Sequence, residues 1–308
     1  MADAPEPAPE PVIRHLVISG GVVYGYAFYG CLQRLAREGV WRAEDLRSIY
    51  ATSIGSLFAT IIALKLDWAA VDTYIVDRPW HTVFNIDLDA LLGCYSRRGV
   101  FDVRVMEQAL APLFGARDLS PDITLRDFFA ATGIDLHYFA TAISEFSLVD
   151  ISHATHPDWR VVDAVYVSCS VPIFFAPLVR DGEWYLDGGF LANYPLDLCM
   201  ASAHRPEPSE VLGVRITKTD VVLDAGAASL FDYLSCILSK FVVRVLGRPT
   251  PAIANELLVP PTDIYMHDIH GFVSSPEKRR ALVAHGERVA EAFLARAFDA
   301  PPACGAPL

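Results

Sequence analysis

Residues 15–66 read HLVISGGVVYGYAFYGCLQRLAREGVWRAEDLRSIYATSIGSLFATIIALKL, and their order decides the fold. His15–Ser19 is a short apolar run that reads as a buried strand. A glycine turn follows, and Tyr26–Glu38 then has helical spacing, with Leu32 and Leu35 on one face and Gly39 as the stop. Arg47–Ala51 reads as a second strand and Ile54–Leu66 as an apolar helix; Trp68–Asp77 reads as a further helix ending before Pro79. Strand, glycine turn, helix, strand, serine turn, helix is the alternation of an α/β fold with a parallel sheet.

Downstream the pattern is more mixed. Asp102 can cap a helix over Val103–Phe114, and Thr124-Leu-Arg-Asp127 has the spacing of a capping box opening Leu125–Thr132. Leu136–Ile143 and Phe146–Ile151 read as a hairpin, Val161–Ser168 as a helix, Trp184–Leu186 as a strand running into Asp187-Gly188-Gly189, and Val211–Ile216 as a strand. Leu230–Leu246 is helical, either packed or lying on a membrane surface. Ser275-Pro276 opens a last helix whose Leu282, Val289 and Phe293 share a face. Without repeats or a linker, residues 13–300 are expected to form one domain behind a disordered, Pro-rich tail at 1–12.

Of the 308 residues 53% are apolar and 20% charged, which excludes disorder for the bulk of the chain. The 25 Lys and Arg against 37 Asp and Glu give −12, a field that repels phosphate backbones and argues against a nucleic-acid partner. The same field offers no attraction to anionic lipid, so any membrane contact has to be apolar. A mean hydropathy of +0.31 calls for a test of membrane spans. The longest uncharged runs are Leu16–Gln33, Ser48–Leu64 and Ala164–Val179; glycines, a Thr-Ser-x-Gly-Ser stretch and Pro172 with Pro177 interrupt them. None supplies the roughly 20 clean apolar residues of a spanning helix. Met1–Pro11 has neither the basic region nor the apolar stretch of a signal peptide. The six cysteines show no CxxC pairing, which fits reduced thiols and a cytoplasmic setting, with peripheral membrane contact compatible.

Three sites carry chemistry. Ser19-Gly20-Gly21-Val22-Val23-Tyr24-Gly25 lies between a strand and a helix, where backbone N–H groups can face an anion: a phosphate, or the oxyanion of an acyl-transfer intermediate. It is neither a G-x-G-x-x-G turn nor a P-loop, and tight packing alone also explains such a turn. Ala51-Thr52-Ser53-Ile54-Gly55 has the small residues two before and two after a serine that a nucleophile elbow needs; the plainer reading is a helix N-cap at Ser53. On adjacent parallel strands the two turns would meet at one sheet edge, where open α/β sheets bind ligands. For the base, His267, His270 and His285 would complete a Ser–His–Asp order. The competitor is Asp187, a carboxylate ending an apolar strand, whose burial would raise its basicity; an ordinary Asp-Gly turn is the alternative.

In order and spacing the three sites resemble those of patatin-like phospholipases, and the likeness extends over about residues 14–296. The resemblance implies a single-domain three-layer α/β/α fold with a mainly parallel central sheet, and a lipid acyl hydrolase working through an acyl-enzyme. It makes Ser53 the nucleophile and Asp187 its activator, with the N–H groups of Gly20, Gly21 and Val22 as oxyanion donors. Ala51, Gly55, Gly188 and Gly189 support the elbow and the dyad. It implies phospholipid or another acyl lipid as substrate, transient contact with a membrane surface, and no metal or cofactor in the chemistry. Three residues depart from the pattern. Val22 stands where a third glycine is usual, and a β-branched residue resists φ > 0. Tyr24 replaces a frequent Arg or Lys, and Ala51 replaces a glycine. These departures keep a catalytically weak, lipid-binding pseudo-hydrolase as an alternative, and the late histidines keep a Ser–His–Asp esterase.

Two further constellations are weaker. His153 and His156, with Asp150 and Asp158 nearby, lack a clear third and fourth metal ligand. Pro172–Pro177 reads as core packing, or as an acyl-chain channel lined by Phe174 or Phe175. Arg78-Pro79-Trp80-His81 and Arg97-Arg98 read as loop anchors.

Overall fold

The computed structural model describes residues 12–85, 88–217, 233, 236–237, 240, 250–262 and 269–299. The tail at 1–11, most of Leu230–Leu246, and His267 lie outside the described residues.

β1 (His15–Ile18) is buried at all four positions. α1 (Gly25–Arg37) ends as the sequence predicts: Gly39 takes φ 76°, its N–H donates to the Ala36 carbonyl, and the Val40 N–H donates to that of Leu35, both at 3.0 Å. β2 (Ser48–Thr52) is followed by α2 (Ile54–Ala63), which stops three residues earlier than the apolar run suggests. α3 (Trp68–Asp72), capped by Asp67, widens into a π-helical turn over Thr73–Asp77, so the predicted segment is helical throughout but changes its winding. Arg78 then lies over the rings of Tyr74 and Trp80, an anchor as expected.

α4 (Leu88–Arg97), β3 (Gly99–Phe101) and α5 (Arg104–Gly115) follow; the Asp102 carboxylate accepts the Arg104 N–H at 3.1 Å. In α6 (Leu125–Thr132) the Thr124 hydroxyl accepts the Asp127 N–H at 3.1 Å. β4 (Asp135–Ala142) and β5 (Ser147–Ile151) form the predicted hairpin, and α7 (Val161–Ser168) matches its predicted bounds. β6 (Ile173–Phe175) and β7 (Leu178–Arg180) have only three residues each, too few for alternation to reveal beside Pro172 and Pro177. β8 (Glu183–Asp187), α8 (Gly189–Ala192), α9 (Leu196–Met200), β9 (Val211–Ile216) and β10 (Asn255–Val259) lead to a short helix, Ile269–Ser274, and a closing helix, Pro276–Asp299.

The sheet runs β10-β9-β1-β2-β4 with every neighbouring pair parallel, and β8 and β7 continue it antiparallel. This is the mainly parallel central sheet flanked by helices that the sequence predicts. Successive residues face opposite layers. Leu16, Ile18, Ile49 and Ala51 join the large core with α1 and α2, while Val17 and Tyr50 join a smaller one with Leu196 and Cys199 of α9.

The register explains how two distant segments meet. Tyr138 of β4 pairs with Ala51 of β2 and with Ile151 of β5; Ala140 pairs with Val149 of β5 and with Asp187 of β8. A strand residue has one partner per edge, so β2 and β8 share the edge opposite β5. β2 runs up that edge as far as Thr52 opposite Phe139, and β8 comes down it as far as Asp187 opposite Ala140. The two strands end head to head.

The closing helix packs along α1 at backbone distance. A Cβ at Gly286 would collide with the Ala27 carbonyl and one at Gly30 with the Val283 carbonyl, while the Cys31 thiol reaches the Gly286 carbonyl at 3.2 Å. Arg279, 1% exposed, ties the same helix to the π-helical turn and loop after α3 and to the short helix before it, donating to the carbonyls of Val76, Arg78, Phe272 and Val273 at 2.8–3.0 Å. Replacing Gly286→Val is therefore expected to destabilise the protein by about 1–3 kcal/mol through overpacking, read as a lower urea midpoint; an unchanged midpoint would contradict this contact.

Candidate active site

The first two strands end side by side. Ile18 pairs with Ala51, so the turn after β1 lies against the turn after β2. Ala51 is fully buried in the core, where its methyl group fits in place of a glycine. Ser53 adopts φ 55° and ψ −132°, an unfavourable conformation for a residue with a Cβ. It makes no side-chain cap to α2, which removes the N-cap reading. The elbow is held by its surroundings. A Cβ on Gly55 would stand 2.6 Å and 2.7 Å from the carbonyl oxygens of Ile18 and Ser19, so α2 can cross β1 this closely only with glycine there. The Ser53 N–H donates to Ser168 Oγ at 3.0 Å, and Ser168 in turn donates to the Phe139 carbonyl at 2.7 Å.

Asp187 reaches the elbow from the head-to-head strand. It is 4% exposed, and Ser53 8%. Its Oδ1 accepts the Gly189 N–H at 2.6 Å; its N–H and carbonyl are held by the Ser170 carbonyl at 3.0 Å and the Thr141 hydroxyl at 3.1 Å. Gly188 lies against the Phe139 carbonyl, too close for a side chain. Oδ2 is buried without a partner in ordinary hydrogen-bond geometry. Burial drives the carboxyl pKa from 3.8 up to about 6, and the facing Ser53 hydroxyl and the Gly189 N–H hold it from rising further. Hydroxyl and carboxylate are thus apposed rather than ideally bonded.

The glycine turn adopts the shape that Val22 was expected to resist: Val22 sits at φ 50°. Of the three N–H groups expected as donors, one is already engaged. The Gly20 N–H is committed to the Asn193 carbonyl at 2.9 Å, whereas the N–H groups of Gly21 and Val22 donate to no acceptor among the described residues. Tyr24 is buried, its hydroxyl accepting the Thr262 N–H at 2.8 Å, so it braces the turn from behind instead of placing a charge in it.

Asn193, exposed at the rim, is a residue that motif reasoning missed; its side chain also reaches the Gly20 carbonyl at 3.4 Å. Ser168, at the end of α7, is another. Only a hydroxyl seven residues after a proline-free helix start marks it in the sequence, which is no signal at all. Of the histidine alternatives, His285 Nε2 lies 2.8 Å from the Pro260 carbonyl on the closing helix, and His270 falls in the helix Ile269–Ser274. Phe175 packs against Phe101 and Tyr166 as core; Phe174 is partly buried. His153 and His156 do not converge: His153 bonds Asp135 and His156 bonds Thr155.

Comparison with known proteins bears on the family and the fold. A family model described as patatin-like phospholipase matches residues 16–200. The probable lipid hydrolase 463L of Invertebrate iridescent virus 6 is 25% identical over 189 residues, covering 61% of this chain and 63% of that protein, less than two thirds of its length. The uncharacterized protein YqhO of Bacillus subtilis (strain 168) is 25% identical over 296 residues, covering 90% and 97%. The crystal structure of VipD from Legionella pneumophila superposes over 94% of this chain and 67% of its own, at a TM-score of 0.54 and 16% identity, a likeness of fold.

Asp187 also has a stability signature. Its pKa in the folded protein lies above the ordinary 3.8, so the penalty for burying its charge is absent below about pH 4 and complete above about pH 6. That displacement corresponds to roughly 3 kcal/mol. Asp187→Asn is accordingly expected to raise the denaturation midpoint at pH 8 and to leave it near wild type at pH 4; equal effects at both would refute the buried charge.

Proposed function

The chain belongs to the patatin-like phospholipase family, and from that premise we propose that it is a lipid acyl hydrolase in which Ser53 and Asp187 form the catalytic dyad. The observation that carries the reading is the strained Ser53, its hydroxyl turned toward a buried carboxyl whose pKa is pushed up to about 6. Such a carboxylate is ionised at neutral pH yet basic enough to accept a proton, the compromise general-base catalysis requires.

In the proposed reaction Ser53 Oγ adds to the ester carbonyl carbon while its proton passes to Asp187 Oδ2. The negative charge that develops on the carbonyl oxygen is met by the N–H groups of Gly21 and Val22 and by the positive end of α2. Collapse breaks the ester C–O bond, and the departing alcohol takes the proton from Asp187, leaving an acyl group on Ser53. Water then attacks the acyl-enzyme, Asp187 takes its proton, and release of the fatty acid returns that proton to Ser53. Val22 at φ 50° supports turnover over the inactive, lipid-binding reading, because the donor turn keeps its shape despite the side chain. No metal or cofactor has a part in these steps.

The substrate class proposed is a phospholipid or another acyl lipid, met at a membrane surface by transient apolar contact. Among the described residues no helix is long and apolar enough to cross a membrane. Leu92 and Tyr95 on α4 are 71% and 95% exposed, and the Cys94 thiol of the same helix touches the carbonyl of the exposed Ile173 at 3.9 Å. Ile173 stands three residues after Ser170, whose carbonyl holds Asp187, and these apolar side chains are the surface proposed to meet lipid.

A fluorophosphonate probe is expected to label the wild type and not Ser53→Ala. Asp187→Asn should lower kcat for a short-chain ester by roughly 10²–10⁴-fold, and the wild-type rate should rise through an acid limb near pH 6 and level off above it. Wild type that neither labels nor hydrolyses any ester across a lipid panel would end the proposal. Leu92→Asp with Tyr95→Asp is expected to reduce hydrolysis of phosphatidylcholine vesicles at least tenfold with hydrolysis of the soluble ester retained; parallel losses on both substrates would remove the membrane contact.

A further inference from the structure

At the opposite end of the sheet from the dyad, a group of histidines and carboxylates gathers where the parallel strands begin. His15, Ser48 and Asp135 are cross-strand partners at the starts of β1, β2 and β4. His137, two residues further on β4, shares the face of Asp135 and stacks on Tyr50 at 4.2 Å. His204, in the loop after α9, reaches the same face and stands 5.4 Å, ring to ring, from His15. None of this serves the reaction. Ala140, the partner of Asp187, lies five positions along β4 from Asp135, about 17 Å of strand.

We propose that Asp135, His137 and His204 bind a divalent transition-metal ion of the zinc type. Asp135 Oδ2 lies 3.2 Å from His137 Nε2 and 3.2 Å from His204 Nε2, and all three donor atoms lie within 4.8 Å of one another. Metal–ligand bonds of about 2.0–2.1 Å separate tetrahedral donors by roughly 3.4 Å, so small side-chain rotations complete the site. The outer partners are those a metal-binding imidazole uses. His137 Nδ1 lies 2.9 Å and 2.8 Å from the two Asp150 oxygens, so in the metal-bound form the hydrogen on that nitrogen points to a carboxylate while the ion displaces the proton on Nε2 and takes its lone pair. That Nε2 is buried and makes no hydrogen bond of ordinary geometry. Asp135 Oδ1 is engaged by His153 Nδ1 at 2.9 Å, and the His153 ring is itself stacked on Phe129 at 3.8 Å; this turns Oδ2 toward the other two ligands. Two carboxylates, Asp135 and Asp150, match a charge of +2.

The strand side chains are 13% and 15% exposed and that of His204 is 31% exposed, so an ion enters from solvent and leaves an open fourth position for water. Its role follows from its place. It pins the loop after α9 to β4, and α9 is the next helix after Asn193, the residue that holds Gly20. The ion is a structural clamp on the segment that shapes the oxyanion turn, and the chemistry proceeds without it.

The test uses the full chain stripped with EDTA and titrated with ZnCl2, and separately with CoCl2 as an optical probe. Expected are one equivalent bound saturably, tetrahedral Co(II) bands, and a thermal midpoint about 5 °C higher at a hundredfold excess over Kd. His204→Ala, altered at the surface, should keep the metal-free midpoint and lose binding at least tenfold. Asp150→Asn, which removes no ligand, should weaken binding by about 10–100-fold. Absence of saturable binding by either metal, or binding unchanged in His204→Ala, would overturn the site and leave an imidazole–carboxylate ion-pair cluster only. Retained ester hydrolysis in EDTA supports the clamp; loss of hydrolysis reversed by Zn(II) would overturn the separation from the chemistry.

Discussion

One edge of β4 accommodates two strands, and the site follows from that constraint. β2 occupies the edge to Phe139 and β8 from Ala140, so the chain must leave the sheet at both Thr52 and Asp187. Backbone groups buried at such a junction need partners. Ser168, Ser170, Thr141 and the Phe139 carbonyl provide them: Ser168 for the elbow, Ser170 and Thr141 for Asp187, and Phe139 as the anchor of Ser168. A hydroxyl and a carboxylate are thereby held together although 134 positions of sequence separate them on the chain.

The junction holds what would otherwise relax. Ser53 and Val22 both adopt positive φ, conformations worth of order 1–3 kcal/mol of strain each. Asp187 carries a charge where burial opposes it. Each is unfavourable alone, and they gather in space where β1, β2 and β8 end beside one another. The glycine contact between α1 and the closing helix, together with the buried Arg279, contributes the rigid packing from which such strain is sustained.

Local signals were legible wherever the cause was local. Gly39 ends α1, Thr124 caps α6, and the hairpin of β4 and β5 appears near its predicted bounds because capping, turn chemistry and alternation act within a few residues. β6 and β7 escaped notice because three-residue strands carry no period, and the π-helical turn after α3 because its winding depends on packing. Motif reading singled out Ser53, Asp187 and the glycine turn as candidates, and counted the Gly20 N–H among the oxyanion donors although the Asn193 carbonyl holds it. It also weighed His153 and His156 together as neighbours in sequence and set them aside for want of further ligands, whereas in space His153 bonds Asp135, beside His137 and His204.

The amino-acid order by itself determined that strands and helices alternate, that two turns carry a donor loop and a serine, and that a carboxylate follows near residue 187. Those features arise from side-chain periodicity and from glycine placed where neighbouring backbone comes close. Only the folded chain decided which groups face one another: that Asp187 meets Ser53 across a shared strand edge, that Ser168 and Asn193 hold the turns, and that a histidine loop closes over the far end of β4. Such pairings depend on register and on strand order, and no local stretch of sequence encodes a contact whose other half lies 69 to 173 residues away.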